Sequence, residues 1–509
     1  MTEIRDAYDV VVIGGGPAGS STAMLLSDRG RSVLLLEKDE FPRYHVGESL
    51  TGTAGDFITR YGLEDDMAKF DFVPKPGVKV VGRDAKNDFF VPVARPTWQV
   101  RRAEFDNLLL QRAIAAGAQH QRATAKTVLT DNERVVGLTL ETEAGETHEV
   151  RCRFLVDASG QSVFLSRQEV AGPRRVAAFN RQIAMYTQFE GVAADPKYTN
   201  ATTIFYRDTY HWSWLIPVSS TVVSIGVVLP IGTYKKRGGS AVKAHAWGLD
   251  NLNPELTERT RGATQVEGMH ITRNYSYGVD PFVGPGWLCV GDSHNFTDPI
   301  FSFGVSFSLT EAQRATEVIH ELLDNPAEEP GLLEAYAHYC RTGQERGGDL
   351  IRYFWKFPAF FAFMTRNQFA DDLLRLLAGD CFTEEPLGAS VEMKFSLDSS
   401  PVVDQVPEGR GRDIARQIYQ KFDFFQGVDA AFIELGDGGV KIYFILTEDD
   451  IDLYDSLYDF EEQLVEDFGR DELAVFSFTP DLLDAMPPLD KAYRLFDRRQ
   501  ERAKLAASN

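Results

Sequence analysis

The feature that most constrains this chain lies within residues 8–37. Tyr8–Ile13 (YDVVVI) is a short β-branched run, the pattern of a strand buried on both faces in a parallel sheet. Gly14, Gly16 and Gly19 follow as GxGxxG, and a small-residue helix, SSTAMLLSDRG, closes at Gly30. A second apolar strand, SVLLLE, ends on Glu37. Strand, glycine turn, helix, strand and terminal acid make one βαβ unit, and that spacing predicts a bound dinucleotide. The glycines let the backbone approach a pyrophosphate at the helix N-terminus, and Glu37 accepts from a ribose hydroxyl. A glycine-rich turn in an ordinary α/β domain has no need of the acid at that distance.

Composition narrows the class further. The chain has 509 residues, enough for about three folding units, and 43% of them are hydrophobic, so it folds around a large core. Its net charge of −22 argues against nucleic acid and anionic membrane surfaces, which select clustered Lys and Arg. No apolar run approaches the ~20 residues that span a bilayer. The start, MTEIRDAYDVVVIGGG, has neither the basic stretch nor the cleavage site of a secretory signal. Cys152, Cys289, Cys340 and Cys381 lie far apart without a CxxC pair, which disfavours a disulfide framework or a structural metal site. A cytoplasmic protein is expected, with no metal, no nucleic acid and no membrane among its partners.

The expected fold class is α/β: a Rossmann-like GxGxxG domain with an overlying antiparallel sheet, a helical segment and a small C-terminal α+β domain. Strand-like runs QIAMYTQFEG, TTIFYRD, HWSWLIPV and VVSIGVVLP place the covering sheet at about 170–285. Helices are expected over about 305–381, completing a module of residues 1–385. The remainder, 386–509, reads as a separate domain of unknown role. Residues 401–509 hold 24 acidic and 12 basic residues, a net charge of −12 out of −22. AFIEL and VKIYFIL flank GDGG as a hairpin, so this glycine run is a turn and not a phosphate loop. A surface so negative favours solubility or a basic partner over an acidic carrier protein.

Three further segments resemble the elements with which flavoprotein monooxygenases hold an extended FAD. They are FPRYHVGESL with Arg43, VRRAEFDNLLL with Arg102 and Asp106, and VGDSHNFTDPIFSFG with Asp292 and Gly304. The resemblance puts Asp292 at the ribityl-pyrophosphate linker and the amides near Gly304 at the isoalloxazine. Together with Trp212-Ser213-Trp214-Leu215-Ile216-Pro217, which fits a WxWxIP signature, residues 8 to about 380 resemble the flavin-dependent halogenases of the phenol and pyrrole branch. In that family FADH2 and O2 oxidise halide to hypohalous acid, which halogenates an electron-rich aromatic. The resemblance implies that Trp212, Trp214, Ile216, Pro217 and Phe301 separate substrate from flavin, and that halide rests on backbone amides at Ser302, Phe303 and Gly304. Tryptophan halogenases carry a glutamate where this chain has Phe301. The phenol and pyrrole branch reads FSSGV followed by His, where this chain has Phe303 and Ser306; Phe303 would narrow the halide site.

Hypohalous acid must be held beside the substrate ring, and an ammonium does so by hydrogen bonding, or a free amine by forming a haloamine. DFVPKPGVKVVG offers Lys75 and Lys79. Residue type alone makes either a solvated loop lysine; the resemblance selects Lys75 as catalytic. No second GxGxxG follows a strand, so a separate flavin reductase is expected to supply FADH2. The substrate is expected to be a small phenol or pyrrole, free or bound to a carrier protein. Two other readings stand beside this one. The first is a related FAD oxidoreductase without halogenation, a hydroxylase or a geranylgeranyl-reductase-like enzyme. The second is an inactive flavoprotein serving as a binding module.

Overall fold

The computed structural model describes residues 3–82, 88–176, 182–208, 210–273, 276–356, 361, 364–365, 369–398, 406–407, 411–412, 414–415, 418, 428–436, 439–446, 457, 461, 464, 473–478 and 492–497. It divides into two compact units. One comprises residues 1–351 and 359–391; the other comprises 352–358 and 392–509.

In the first unit β1 (Ala7–Ile13) runs parallel to β2 (Val33–Glu37) on one side and to Thr147–Asp157 on the other. Both faces of β2 are covered, and all five of its residues are buried, as its uninterrupted apolar run requires. α1 (Pro17–Asp28) crosses between β1 and β2, with Pro17 at its first turn. The sheet continues through Gln119–Asp131, Arg134–Thr142 and Thr147–Asp157, and Trp287–Cys289 joins it in parallel. The long helix Phe303–Asp324 packs beside α1 and carries Val305, Leu309, Ala312 and Ile319 into the same core.

The second sheet orders Gln182–Glu190, Val222–Pro230, His211–Pro217 and Thr202–Asp208 as antiparallel neighbours. Its far edge departs from the expected 170–285 span. Gly77–Val81 pairs in parallel with Thr202–Asp208 and carries Asp88–Pro92 as a further antiparallel strand. VKVV looks like any short strand, and only folding decides that its partner lies more than a hundred residues along.

In the second unit Val428–Gly436 and Gly439–Leu446 form the expected hairpin, with Gly436 opposite Gly439. Leu473–Phe478 adds in parallel, and Ala492–Asp497, which no strand pattern announces, closes the other edge. Ile414 and Ile418 pack with Ile433, Ile442 and Phe444 in its core, and the acidic helix lies mostly outside the described residues. The four cysteines are buried thiols, and among the described residues no helix is long and apolar enough to cross a membrane.

Candidate active site

A cavity of about 720 Å³ begins at the glycine turn and ends against the second sheet. The three glycines meet different demands. Gly14 has φ +103°, and a Cβ on it would lie 2.3 Å from the Ala158 carbonyl oxygen. A Cβ on Gly19 would lie 1.8 Å from the carbonyl oxygen of Gly14. These two are required by the protein's own backbone. Gly16 is different: a Cβ there would meet only Arg43 Nη2, at 3.8 Å, and otherwise project into open cavity. No side chain caps α1 at Gly16, so its first amides are left for an anion. Glu37 is buried on the cavity wall, accepting from the Gly15 amide at 2.7 Å and the Asp39 amide at 2.8 Å.

Arg43 and Arg102 line the middle of the cavity. Arg43 stacks on Phe41 and sits 3.5 Å from Asp106. Arg102 is committed to structure: Nε and Nη2 bind both Asp106 oxygens at 2.6 and 3.0 Å, and Nη1 donates to the Val46 carbonyl. It locks the 41–50 loop to the helix Arg102–Ala115 and supplies a positive field more than free donors. Opposite, Asp292 occupies the turn Gly291–Ser293, where burial pushes its carboxyl up to about 7 against the pull of Arg102.

That turn rests on a buried network that sequence reasoning missed. Glu311 accepts from the Gly291 amide at 2.7 Å and from Gln344 at 2.7 Å, and His294 Nε2 lies 2.9 Å from the same carboxylate. Glu311 and Gln344 lie on two separate helices, and no local motif links them to Gly291.

At the sheet end Trp212, Trp214 and Ile216 line the cavity, whereas Pro217, at the strand terminus, faces neither cavity. Pro217, the strand's last residue, is half-buried. Trp214 lies flat over Gly226, where a Cβ would fall 2.1 Å from its ring, and donates to Ser224 at 3.3 Å. Ser302 adopts a left-handed conformation (φ +62°) at the start of Phe303–Asp324, and no side chain caps the helix there. The Phe303 ring packs against Phe307 (5.0 Å, 7° between planes) and Phe301 in the cavity wall, and a Cβ on Gly304 would meet nothing within 4 Å.

A second, smaller chamber of about 40 Å³ adjoins the first, and Thr202, Ile204, Ile300 and Ser302 line both. Its walls are Val78, Val80, Phe89, Val91, Phe301 and Phe361, and its cation is Lys75. Lys75 is 5% exposed, and its Nζ donates to the Leu50 carbonyl at 2.9 Å. Burial alone, with no carboxylate beside it, pulls its ammonium down to about 7. Lys79 takes the opposite course. Val78 and Val80 face the chamber, so the period of two turns Lys79 to the other face of the sheet. There it pairs with Asp195 and Glu255 at 2.9 Å, and despite burial those bonds hold its pKa above the usual value.

Among the described residues lining the large cavity, three buried polar atoms have no hydrogen-bond partner, the Tyr44 hydroxyl, Glu48 Oε1 and Trp212 Nε1, and Arg43 Nη1 has only its 3.5 Å ion pair with Asp106. Buried polar groups are normally satisfied. Spread from glycine turn to tryptophans, they fit a long polar ligand with an aromatic end.

Residues 7–346 match the FAD binding domain family. The chain is 44% identical over 385 residues to the 1H-pyrrole-2-carbonyl-[peptidyl-carrier protein] brominase of Pseudoalteromonas luteoviolacea, covering 75% of this chain and 94% of that protein. It is 28% identical over 430 residues to the corresponding chlorinase of Pseudomonas fluorescens, covering 77% and 94%. The solved structure of flavin-dependent brominase Bmp2 superposes with a TM-score of 0.75 at 43% identity, covering 77% of this chain and 98% of that one.

Proposed function

Because this chain belongs to the flavin-dependent halogenases, we propose that its two joined cavities divide the reaction between them, FAD in the large one and the aromatic ring in the small one. The chain is an FAD-dependent halogenase that consumes halide. The observation that carries the division of labour is Lys75, the one amine among the described residues lining an apolar chamber that shares Thr202, Ile204, Ile300 and Ser302 with the cofactor cavity.

Gly14, Gly16, Gly19 and Glu37 hold the adenosine and pyrophosphate end. Arg43, Arg102 and Asp292 line the linker, and Trp212, Trp214 and Ile216 flank the ring. Halide rests on the amides at Ser302, Phe303 and Gly304, where the helix N-terminus favours an anion. Bound as FADH2 and exposed to O2, the cofactor supplies the oxidising equivalent that makes hypohalous acid from halide. The protein's own work follows. The shared wall admits a molecule of a few atoms, and Lys75 holds it against the ring. The aromatic carbon then takes the halogen and loses its proton, while hydroxide and that proton leave as water.

Both named relatives at 44% and 28% identity act on a pyrrole-2-carbonyl group borne by a carrier protein. That supports a carrier-tethered pyrrole as substrate here; the chamber's valines and phenylalanines give an apolar lining, and its volume of about 40 Å³ must widen to admit the ring. A separate reductase supplies FADH2. The test is product formation from free and carrier-bound pyrroles, phenols and indoles with FADH2 and bromide or chloride, read by mass spectrometry. A halogenated tethered pyrrole is expected. Hydroxylation that needs no halide would restore the plain oxidoreductase reading.

Two further results are expected. Lys75 sheds its proton near pH 7 because its folded pKa lies below the ordinary lysine value, so the nucleophilic amine accumulates as pH rises through about 7. Single-turnover halogenation should climb through that range and level above it; a rate that falls there would assign the work to the ammonium. The brominase is matched over 94% of its length by 75% of this chain, which supports reading residues 386–509 as a domain apart from the catalytic unit. Their removal should leave FAD retention near wild type, with any loss in solubility, association or substrate delivery.

A further inference from the structure

Glu48 has no part in the mechanism above. It sits in the 41–50 loop, 1% exposed, on the wall of the large cavity. Its carboxyl is bonded on one side only. Oε2 accepts from the Gly47 amide at 3.0 Å, the amide of Glu48 itself and the Ser224 hydroxyl also bond the carboxyl, and Oε1 is buried with no partner. Ser224 in turn accepts from the indole N–H of Trp214, so Glu48 belongs to the tryptophan end of the cavity. Oε1 accepts no hydrogen bond while Oε2 accepts one, so a proton on this carboxyl resides on Oε1. Burial favours that neutral form by raising the pKa, and the nearest guanidinium, Arg102, is already spent on Asp106 and Val46.

We propose that Glu48 is a flavin ligand, a neutral carboxylic acid whose Oε1–H donates to an acceptor on the polar edge of the bound isoalloxazine. The proposal rests on the placement of FAD given above. It explains why a carboxyl is tolerated beside an aromatic ligand: left empty-handed, a buried hydroxyl forfeits a hydrogen bond that the ligand restores. The other ionisable groups facing Glu48 are Tyr44 on its own loop, Arg102 with Asp106 on the neighbouring helix, and Tyr186 on the sheet. Asp292 and His270 line the same cavity.

The test compares FAD with ADP, which lacks the flavin ring, in fluorescence and calorimetric titrations of the full-length apoprotein from pH 6 to 9. Wild type should bind FAD more weakly as pH rises and Glu48 ionises, while ADP affinity is unaffected by that residue. Glu48→Gln keeps an N–H donor and should hold FAD within about threefold at pH 6, losing the part of the pH dependence due to Glu48; what persists belongs to the remaining groups, Asp292 and Lys75 among them. Glu48→Ala should lose about tenfold for FAD, the worth of one hydrogen bond, and nothing for ADP. Infrared difference spectra on adding FAD should show protonated-carboxyl bands that shift in wild type, one of which is missing in Glu48→Gln while that of Asp292 remains. An equal loss for ADP and FAD in Glu48→Ala would make the residue merely structural. An unchanged pH profile in Glu48→Gln, or no carboxyl band lost in that variant, would overturn the proposal outright. Wild type binding ADP but gaining nothing from the flavin half would instead sink the placement of FAD.

Discussion

Lys75→Ala is expected to bind FAD and consume O2 as the wild type does, yet to lose halogenation by at least ~10²–10³, the usual cost of one positioned donor. The loss should be nearer complete, because no second amine reaches the chamber among the described residues that line it. Mass spectrometry of the product alongside oxygen uptake separates the two effects, and a dye that traps free hypohalite should gain what the substrate loses. Lys79→Ala makes the contrast. Its partners Asp195 and Glu255 would lose their 2.9 Å cation and keep only Arg259, at 3.9 and 3.6 Å, which costs on the order of 2 kcal/mol. That loss should appear in the melting temperature, with product formed by whatever fraction remains folded. Were Lys79→Ala the folded but silent variant and Lys75→Ala the active one, the roles assigned to the two lysines would be reversed.

The glycines give the second large effect, and they separate folding from cofactor binding within one hexapeptide. Gly19→Ala puts a methyl group 1.8 Å from a carbonyl oxygen of the same turn, so β1 and α1 must move apart. A destabilisation of about 3 kcal/mol or more is expected, with FAD lost as a consequence. Gly16→Val behaves otherwise. Its backbone (φ −72°) suits valine, and its side chain would project into the cavity, where nothing but Arg43 approaches. The variant should melt like wild type and retain no flavin on gel filtration. A Gly16→Val protein that stays yellow would show that the pyrophosphate lies elsewhere.

What the sequence determined is local in character. GxGxxG, its flanking strands and Glu37 are close enough along the chain for the spacing itself to dictate geometry, and Glu37 duly reaches the Gly15 amide. The C-terminal hairpin was legible for the same reason: Gly436 and Gly439 sit in one turn. The resemblance carried by WxWxIP and FPRYHVGESL named the chemistry, but motifs state which residues occur and not which way they face. Tertiary structure decided the rest. It drew Gly77–Val81 onto a strand beginning at Thr202, and that pairing put Val78 and Val80 toward the chamber and Lys79 away from it. It spent Arg102 on Asp106, packed Phe303 against Phe307, and left Pro217 half-buried at its strand's end. Thr202, Ile204 and Ile300, the wall common to both chambers, carried no sequence signal at all, because each is an ordinary residue in an ordinary element. A strand's alternation fixes that neighbours face opposite sides; which side holds the cavity depends on what packs there, and that is supplied by residues a hundred or more positions away.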